Sequence, residues 1–553
     1  MPEAPYRRAV TGASARAALG VGLPLLVGVL ADQRSLGVVA ALGGFWAITQ
    51  DGLDVHRSRL GRVLAVAFAH SAGLTCGLLV LREAGRGWPV VVALAVAALV
   101  GGAVQGTTPA RTAAGMHVVL GTVIGTGIDL PGPWWEPPAA LLAGSLLVAA
   151  TSAVPLLLRR RRHERLSLAH AYGWASIGLA AGDDDGEDGD RVKGQLVLAL
   201  NQAQDVLGPT SRGHGIDDLR DGLAEVVQLG ELVTVARVRR TTVPREVRDA
   251  LLAVRTHLRS GRGRTPVADA RAENRERLRG VDSADPVTAR VVALLTQDPA
   301  RPGAELVPRR RQQGLPTSER ARFAVLLAAT VAVAGWLAML ASGGGYWIPL
   351  TVAFVMRPDL GPVFVRAVAR GTGTVAGVAL TAVAVLLLDD VVGLLVLVTV
   401  AAALLPTAQR RGYVWQVLVL TPIVFVFLDV LGEGDSLLVA RVLDTVVGVL
   451  LVLAVDLLLR SQSPSSRTAS QVVFAERAAE LYAQRGPAAE PGERHALRRD
   501  AYRALTRARR SVDLARREPL RSRRPADDLG ARLDEIERAV DVATAEVAVG
   551  PVG

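Results

Sequence analysis

The chain has 553 residues, half of them hydrophobic and 21% charged, with a mean hydropathy of +0.31. A uniform soluble globule does not combine these values, so apolar and charged residues must be segregated along the chain. The net charge of +11 is carried by arginine, since Lys193 is the sole lysine. No nucleic-acid fold signature accompanies it, and the arginines crowd the ends of apolar segments, as the positive-inside rule requires.

In chain order the first block, 1–158, opens with Arg7, Arg8 and Arg16 before an apolar run from Ala17 to Ala31. That run resembles a signal peptide, but apolar segments follow directly and no small-x-small cleavage site is placed to release it. It reads as a retained first helix. A helix needs about 20 apolar residues to cross a bilayer. Spans are expected near 15–31, 35–50, 61–81, 88–106, 112–129 and 138–158. Cys76, the single cysteine, excludes an intrachain disulfide and offers no Cys-based metal site. The segment 159–320 is charged and helical in pattern, with Leu196, Leu198, Leu200, Ala203 and Val206 on one expected face and Leu219 to Leu232 on another. Its acidic run from Asp183 to Asp190 lacks calcium-ligand spacing and reads as a solvated loop.

The second apolar block, 321–460, predicts spans near 321–341, 345–356, 366–388, 391–405, 411–431 and 437–459. The second span of each block is short and Gly-rich, suiting a broken or partly crossing helix. The tail, 461–553, suggests amphipathic helices whose Arg503, Arg507, Arg509 and Arg510 would meet lipid headgroups or the acidic run. The expected fold is an all-α membrane protein: two repeated bundles of about six transmembrane helices plus helical cytoplasmic domains.

Loop charges alternate. Arg57, Arg59, Arg62, Arg111, Arg159 to Arg162, Arg309 to Arg311, Arg357, Arg366, Arg370, Arg410, Arg411 and Arg460 fall on one side; Asp129, Glu136, Asp389, Asp390, Asp429, Glu433 and Asp435 fall on the other. Arg82 and Arg86 are exceptions, partly offset by Glu83. The basic side is expected to be cytoplasmic, with both termini and the middle region. Superimposing Arg62 on Arg370 brings Asp51 onto Asp359 and Trp46 onto Phe354. Small residues at four-residue spacing follow, at Gly61, Ala65, Ala69, Gly73 and Gly77, and at Ala369, Gly373 and Gly377. Such ridges admit close helix approach, and an even span count predicts parallel repeats.

Tyr346 to Thr351, then Arg357-Pro358-Asp359, Arg366, Arg370 to Thr374 and Gly377, with Arg441, Asp444, Thr445 and Gly448 in the last span, resemble the signature of the fusaric-acid-resistance-like proteins. These form the aromatic acid exporter superfamily, to which the plant aluminium-activated malate transporters are related. The resemblance implies alternating membrane and cytoplasmic parts, as here, and efflux of small organic, often aromatic, anions. The first block departs from the pattern: Thr49 and Gln50 stand where Arg357 and Pro358 stand, and nothing matches Arg441 and Asp444.

Ionisable groups at membrane depth are functional candidates. Arg441 and Asp444 are three apart on one helix face. They could form a buried network with Arg370 and Asp359 that locks packing, or an anion site whose arginine grips a carboxylate with its planar fork. Asp359 and Asp51 could cap the following helix or serve in proton coupling; Arg357 and Arg62 flank them. Trp46, Tyr346 and Trp347 could anchor at the interface or stack on an aromatic substrate. His70 and His117, each alone in its segment, could relay protons or pack through a hydrogen bond. No Walker A loop, nucleophile elbow or HExxH is present, so neither ATP hydrolysis nor other catalysis, nor any cofactor, is expected. The leading expectation is a proton-coupled exporter of small organic or aromatic acids in the cell membrane. A passive organic-anion channel and a membrane scaffold are the alternatives; the soluble helices could also hold a homo-oligomer.

Overall fold

The computed structural model describes residues 4–50, 56–128, 130, 132–158, 161–181, 187–207, 216–260, 263, 265–281, 284–298, 317–341, 345–357, 363–388, 390–431, 437–458, 464–516 and 524–549. Among them the structure is all helical, with twenty-one α-helices and no strand. Contacts divide the chain into two units, Met1–Leu158 with Gln312–Gln462, and Arg159–Arg311 with Ser463–Gly553.

The first unit begins with α1 (Ala4–Leu30), α2 (Arg34–Thr49), α3 (His56–Ala84), α4 (Trp88–Val104), α5 (Pro109–Gly127) and α6 (Glu136–Leu158). In the second unit follow α7 (Arg162–Ala180), α8 (Glu187–Val206), α9 (Ile216–Val238), α10 (Arg245–Ser260), α11 (Pro266–Arg277) and α12 (Pro286–Thr296). The chain returns to the first unit with α13 (Thr317–Leu340), α14 (Trp347–Val355), α15 (Val363–Leu387), α16 (Val391–Arg411), α17 (Tyr413–Val430) and α18 (Leu437–Leu458). It ends in the second unit with α19 (Pro464–Arg485), α20 (Pro491–Arg516) and α21 (Arg524–Val549).

Twelve helices fall at the twelve expected span positions, and by length and composition six are long and apolar enough to cross a membrane: Thr11–Leu30, Arg59–Ala84, Thr317–Leu340, Val363–Leu387, Val391–Arg411 and Tyr413–Val430. Their outer faces expose large apolar side chains, such as Phe68, Val383, Leu386 and Val392, which suits lipid rather than water. The short α14 has nine residues, a rise of about 13 Å against a hydrocarbon core of ~30 Å. It cannot span alone, and every one of its residues is buried among its neighbours.

The two blocks use corresponding pairings. In the first, α2 packs on α1 and α6, α5 on α3 and α4, and α3 on α6. In the second, α14 packs on α13 and α18, α17 on α15 and α16, and α15 on α18. Across blocks, α1 packs on α16 as α13 does on α4, and α2 meets α17 as α14 meets α5. Close backbone approach at glycine sets these contacts. A Cβ on Gly43 would strike the Leu141 carbonyl, and one on Gly144 the Ala40 carbonyl. Gly73 and Gly77 of the expected ridge meet α5 at Val118 and Thr122; Gly373 and Gly377 meet α17 at Val417 and Thr421. Gly61 meets nothing.

This packing sets a different register from the one the arginines suggest. With Gly73 matched to Gly373, Arg370 corresponds to His70, eight residues beyond Arg62. Arg62 instead donates to the Gln50 carbonyl at 3.3 Å, closing the end of α2. Arg366 does the same for α14 through the Val355 carbonyl at 3.1 Å. Arg82, out of place by charge, donates to the carbonyls of Leu130 and Gly132 at 3.1 and 2.7 Å and ties α3 to the segment before α6.

In the second unit, α7 to α12 enclose an apolar core, and α19 to α21 a smaller one. Leu219, Leu223, Val226, Val227, Leu229 and Leu232 are buried as expected, but Leu198 is exposed. It lies two residues from Leu196 and Leu200, so a helix turns it to the opposite side. A buried polar network crosses the core. The Tyr172 hydroxyl and Arg271 both donate to Glu225, at 2.9 and 2.8 Å. Lys193 pairs with Glu537 at 2.7 Å, and Glu231 with His495 and Arg498 at 2.9 and 3.2 Å, joining the C-terminal helices to α8 and α9. Arg503 donates to Asn201 at 3.0 Å and Arg509 pairs with Asp534 and Glu537 at 2.6 and 2.8 Å. The described bonds of these two tail arginines thus go to protein groups other than the acidic run, whose residues 183–186 lie outside the described residues.

Candidate functional site: a cationic aromatic cavity

Five residues singled out in the sequence as functional candidates meet in one cavity, Tyr346 just before α14 among them. Trp46 comes from α2, Trp347 from α14, Arg370 from α15 and Arg441 from α18. The cavity has about 690 Å³ of empty space, counting its open mouth, and lies where α2, α3 and α5 face α14, α15, α17 and α18. Its walls are otherwise aliphatic or aromatic, including Leu74, Ile124, Leu350, Phe354 and Val424.

The placement of each side chain follows from the local packing. Gly448 lets α18 approach α14, because a Cβ there would crowd Thr351 and the Ile348 carbonyl. That brings the Arg441 guanidinium 4.1 Å from the Trp347 ring centroid and 5.1 Å from that of Phe425. Gly373 and Gly377 seat α15 on α17, one turn beyond Arg370, whose guanidinium lies 4.7 Å from the Phe354 ring centroid. Both arginines are almost wholly buried, with 2% and 1% of their surface exposed. Cation–π contact recovers part of the cost of burying them.

One nitrogen of each guanidinium remains unmatched. Nε of Arg370 and Nη1 of Arg441 are buried without a hydrogen-bond partner among the described residues, as are Nε1 of Trp46 and Nε1 of Trp347. Arg357 lies within electrostatic reach of Arg370, and Arg370 within reach of Arg441. Asp444, on the same helix face as Arg441, forms no ion pair or hydrogen bond among the described residues and does not line the cavity. Three residues along a helix sets the face but not the side-chain direction, and Asp359, the other carboxylate of the expected network, lies outside the described residues. Asp51 lies outside them too.

Sequence reasoning missed a second feature. His70 of α3 and His117 of α5 are fully buried and joined Nδ1 to Nδ1 at 3.1 Å. One ring donates and the other accepts, and Nε2 of each has no partner among the described residues. Trp46 stacks on His70 with centroids 5.5 Å apart and meets His117 edge-on at 5.0 Å. Trp46 also meets Phe45 edge-on at 4.7 Å and Phe354 at 5.8 Å. The indole thus separates the imidazole pair from Phe354, which in turn lies against Arg370. Arg357 is also in electrostatic reach of His117. The signal was present in the glycine ridge: Gly73 and Gly121 bring α3 and α5 together beside these histidines.

Residues 326–455 match the family described as Fusaric acid resistance protein-like. The inner membrane protein YccS of Escherichia coli (strain K12) is similar, 31% identical over 104 residues, which are 19% of this chain and 14% of that protein. The matched stretch is thus a small part of the curated relative. No solved structure matches the chain significantly. The family match covers α14, α15 and α17 and most of α18, so it includes Trp347, Arg370 and Arg441 but not Trp46 or the histidine pair.

Proposed function

With a fusaric-acid-resistance-like second block as its premise, we propose that the protein is a secondary transporter that exports small organic acids, aromatic ones above all, across the cytoplasmic membrane. The observation that carries this reading is the pair of buried arginines in an otherwise apolar, aromatic cavity. An unpaired buried charge costs several kcal/mol. A carboxylate entering the cavity would neutralise that charge and accept the N–H groups of Arg370 and Arg441 as charge-assisted bonds. An aromatic ring on the same molecule would lie against Trp347, Phe354 and Trp46. The cavity volume falls within the range of small-molecule sites. No chemical conversion of the substrate is involved.

Proton coupling is the finer part of the proposal, and the histidine pair supports it. The two imidazoles share one hydrogen bond, and each keeps a further ring nitrogen able to hold or release a proton. Trp46 touches both the pair and Phe354, so a change in the pair's charge is felt at the cavity wall. The positive-inside distribution supports an arrangement with both termini and 159–320 in the cytoplasm. The passive anion channel is the second reading, favoured by a cavity lined by arginine and, among the described residues, by no carboxylate.

The test is flux of a panel of benzoates and pyridine carboxylates in proteoliposomes under an imposed pH gradient or an imposed voltage. Saturable flux driven by the pH gradient and lost in His117→Gln supports the coupled exporter. Flux that follows voltage alone supports the channel. No flux of any acid above that of empty liposomes refutes both.

A further inference from the structure

A second cavity lies within the unit formed by Arg159–Arg311 and Ser463–Gly553, and the transport reading does not use it. It has about 770 Å³ of empty space, counting its mouth, between α7, α8, α9 and α20. Val192, Leu196, Val197, Leu200 and Val233 supply apolar wall, and basic and neutral polar side chains line the rest.

Three of those cations are already neutralised. Lys193 pairs with Glu537 and Asp541, Arg498 with Glu231 at 3.2 Å, and Arg237 with Asp190. Tyr502 spends its hydroxyl on Asp541 at 2.6 Å. Arg499 differs. It has no ion-pair partner among the described residues, and its Nε is buried without a hydrogen bond. Gln204, also in the wall, has its Oε1 buried and without a partner. A buried guanidinium N–H and a buried amide oxygen are an unfilled donor and an unfilled acceptor, each expensive to leave unmatched.

We propose that this cavity is a binding site for a small apolar carboxylate that also carries a hydroxyl or N–H donor. The carboxylate bonds Arg499, the donor bonds Gln204, and the apolar body covers the aliphatic wall. Arg499 lies on α20 and Gln204 on α8, so the ligand bridges the C-terminal helices to the middle helices. Occupancy therefore reports the ligand to the tail. If the cavity described in the membrane unit carries similar acids, this site senses what that unit moves, but binding here does not depend on transport.

The test uses the full chain in detergent, with 4-hydroxybenzoate as the probe and benzamide as the uncharged control, read by calorimetry and by hydrogen exchange of α20. Arg499→Gln removes the charge, Val197→Phe fills the cavity with the charge kept, and Arg441→Gln disables the membrane cavity alone. The expected result is saturable 4-hydroxybenzoate binding that protects α20. It should weaken by about tenfold or more in Arg499→Gln and Val197→Phe, the loss of one charge-assisted bond or of its space, and survive in Arg441→Gln. Binding lost in Arg441→Gln but intact in both Arg499→Gln and Val197→Phe overturns the proposal while leaving the transport reading standing. Absence of any binding in the wild type, or equal binding of benzamide, overturns it as well.

Discussion

Arg441 carries the sharpest contrast between stability and function. Its guanidinium is buried, held over Trp347 and Phe425, and has no carboxylate partner among the described residues. Replacing a poorly compensated buried charge with an apolar side chain of similar size is often neutral or stabilising. Arg441→Met is therefore expected to leave the thermal midpoint of the purified protein unchanged or raised while flux of aromatic acids falls. A fall in thermal midpoint with flux retained would make Arg441 a packing residue. Arg271 in the second unit is the opposite case. It holds Glu225 in a buried pair at 2.8 Å, so Arg271→Leu strands a buried carboxylate. That change is expected to destabilise the second unit by ~3–5 kcal/mol, measured by hydrogen exchange in α9. At this scale the sequence was legible wherever a charge interrupted an apolar run, as at Arg370 and Arg441. It was silent on the His70–His117 pair, because 47 residues separate two members that meet only when α3 packs on α5.

At the scale of helices, glycine placement decides which contacts are possible. Gly144→Leu would drive a side chain into the Ala40 carbonyl, and overpacking a close contact costs about 1–3 kcal/mol or more. It is expected to cut the yield of folded protein, measured by size-exclusion after extraction. Gly61→Leu and Gly371→Leu, which meet nothing within 4 Å, are expected to leave that yield intact. The repeat was partly legible here. The small-residue spacing pointed to α3 and α15 as packing partners of other helices. The arginine register did not carry over, since Arg62 and Arg366 both close the ends of the preceding short helices. With the glycine ridges matched, His70 rather than Arg62 then stands in the place of Arg370.

For the molecule as a whole, the two units answer to different physics. The second is held together across its chain segments by ion pairs, and two carboxyls in those pairs respond to pH. Burial pushes the Glu231 carboxyl up, but Arg498, His495 and Arg494 together hold it below its ordinary value. Burial likewise pushes Glu537 up, and Lys193 and Arg509 outweigh it. Both folded values are depressed, so the stabilisation is fully present above the unfolded value of about 4.3 and is lost as pH falls through the folded values. Protease protection of α20 and α21 should therefore hold from pH 7 to about 5 and drop below about 4; unchanged protection down to pH 3 would mean these pairs do not hold the tail. Most of this was unreadable beforehand, because α8 and α9 lie far from the tail in sequence, Lys193 348 residues from its partner Asp541, although Arg509 is only 28 residues from Glu537.

The first unit rests on close helix packing, which buries two arginines against aromatic rings with no ion pair among the described residues. The most direct test of the account is the initial rate of aromatic-acid flux in proteoliposomes for the wild type, Arg370→Gln and Arg441→Gln, with benzamide as the uncharged control. Each arginine should contribute ~3 kcal/mol through charge-assisted bonds, so each variant is predicted to carry the acid about a hundredfold more slowly, with benzamide untransported throughout. Equal acid flux in all three proteins would contradict the claim that these arginines bind the substrate.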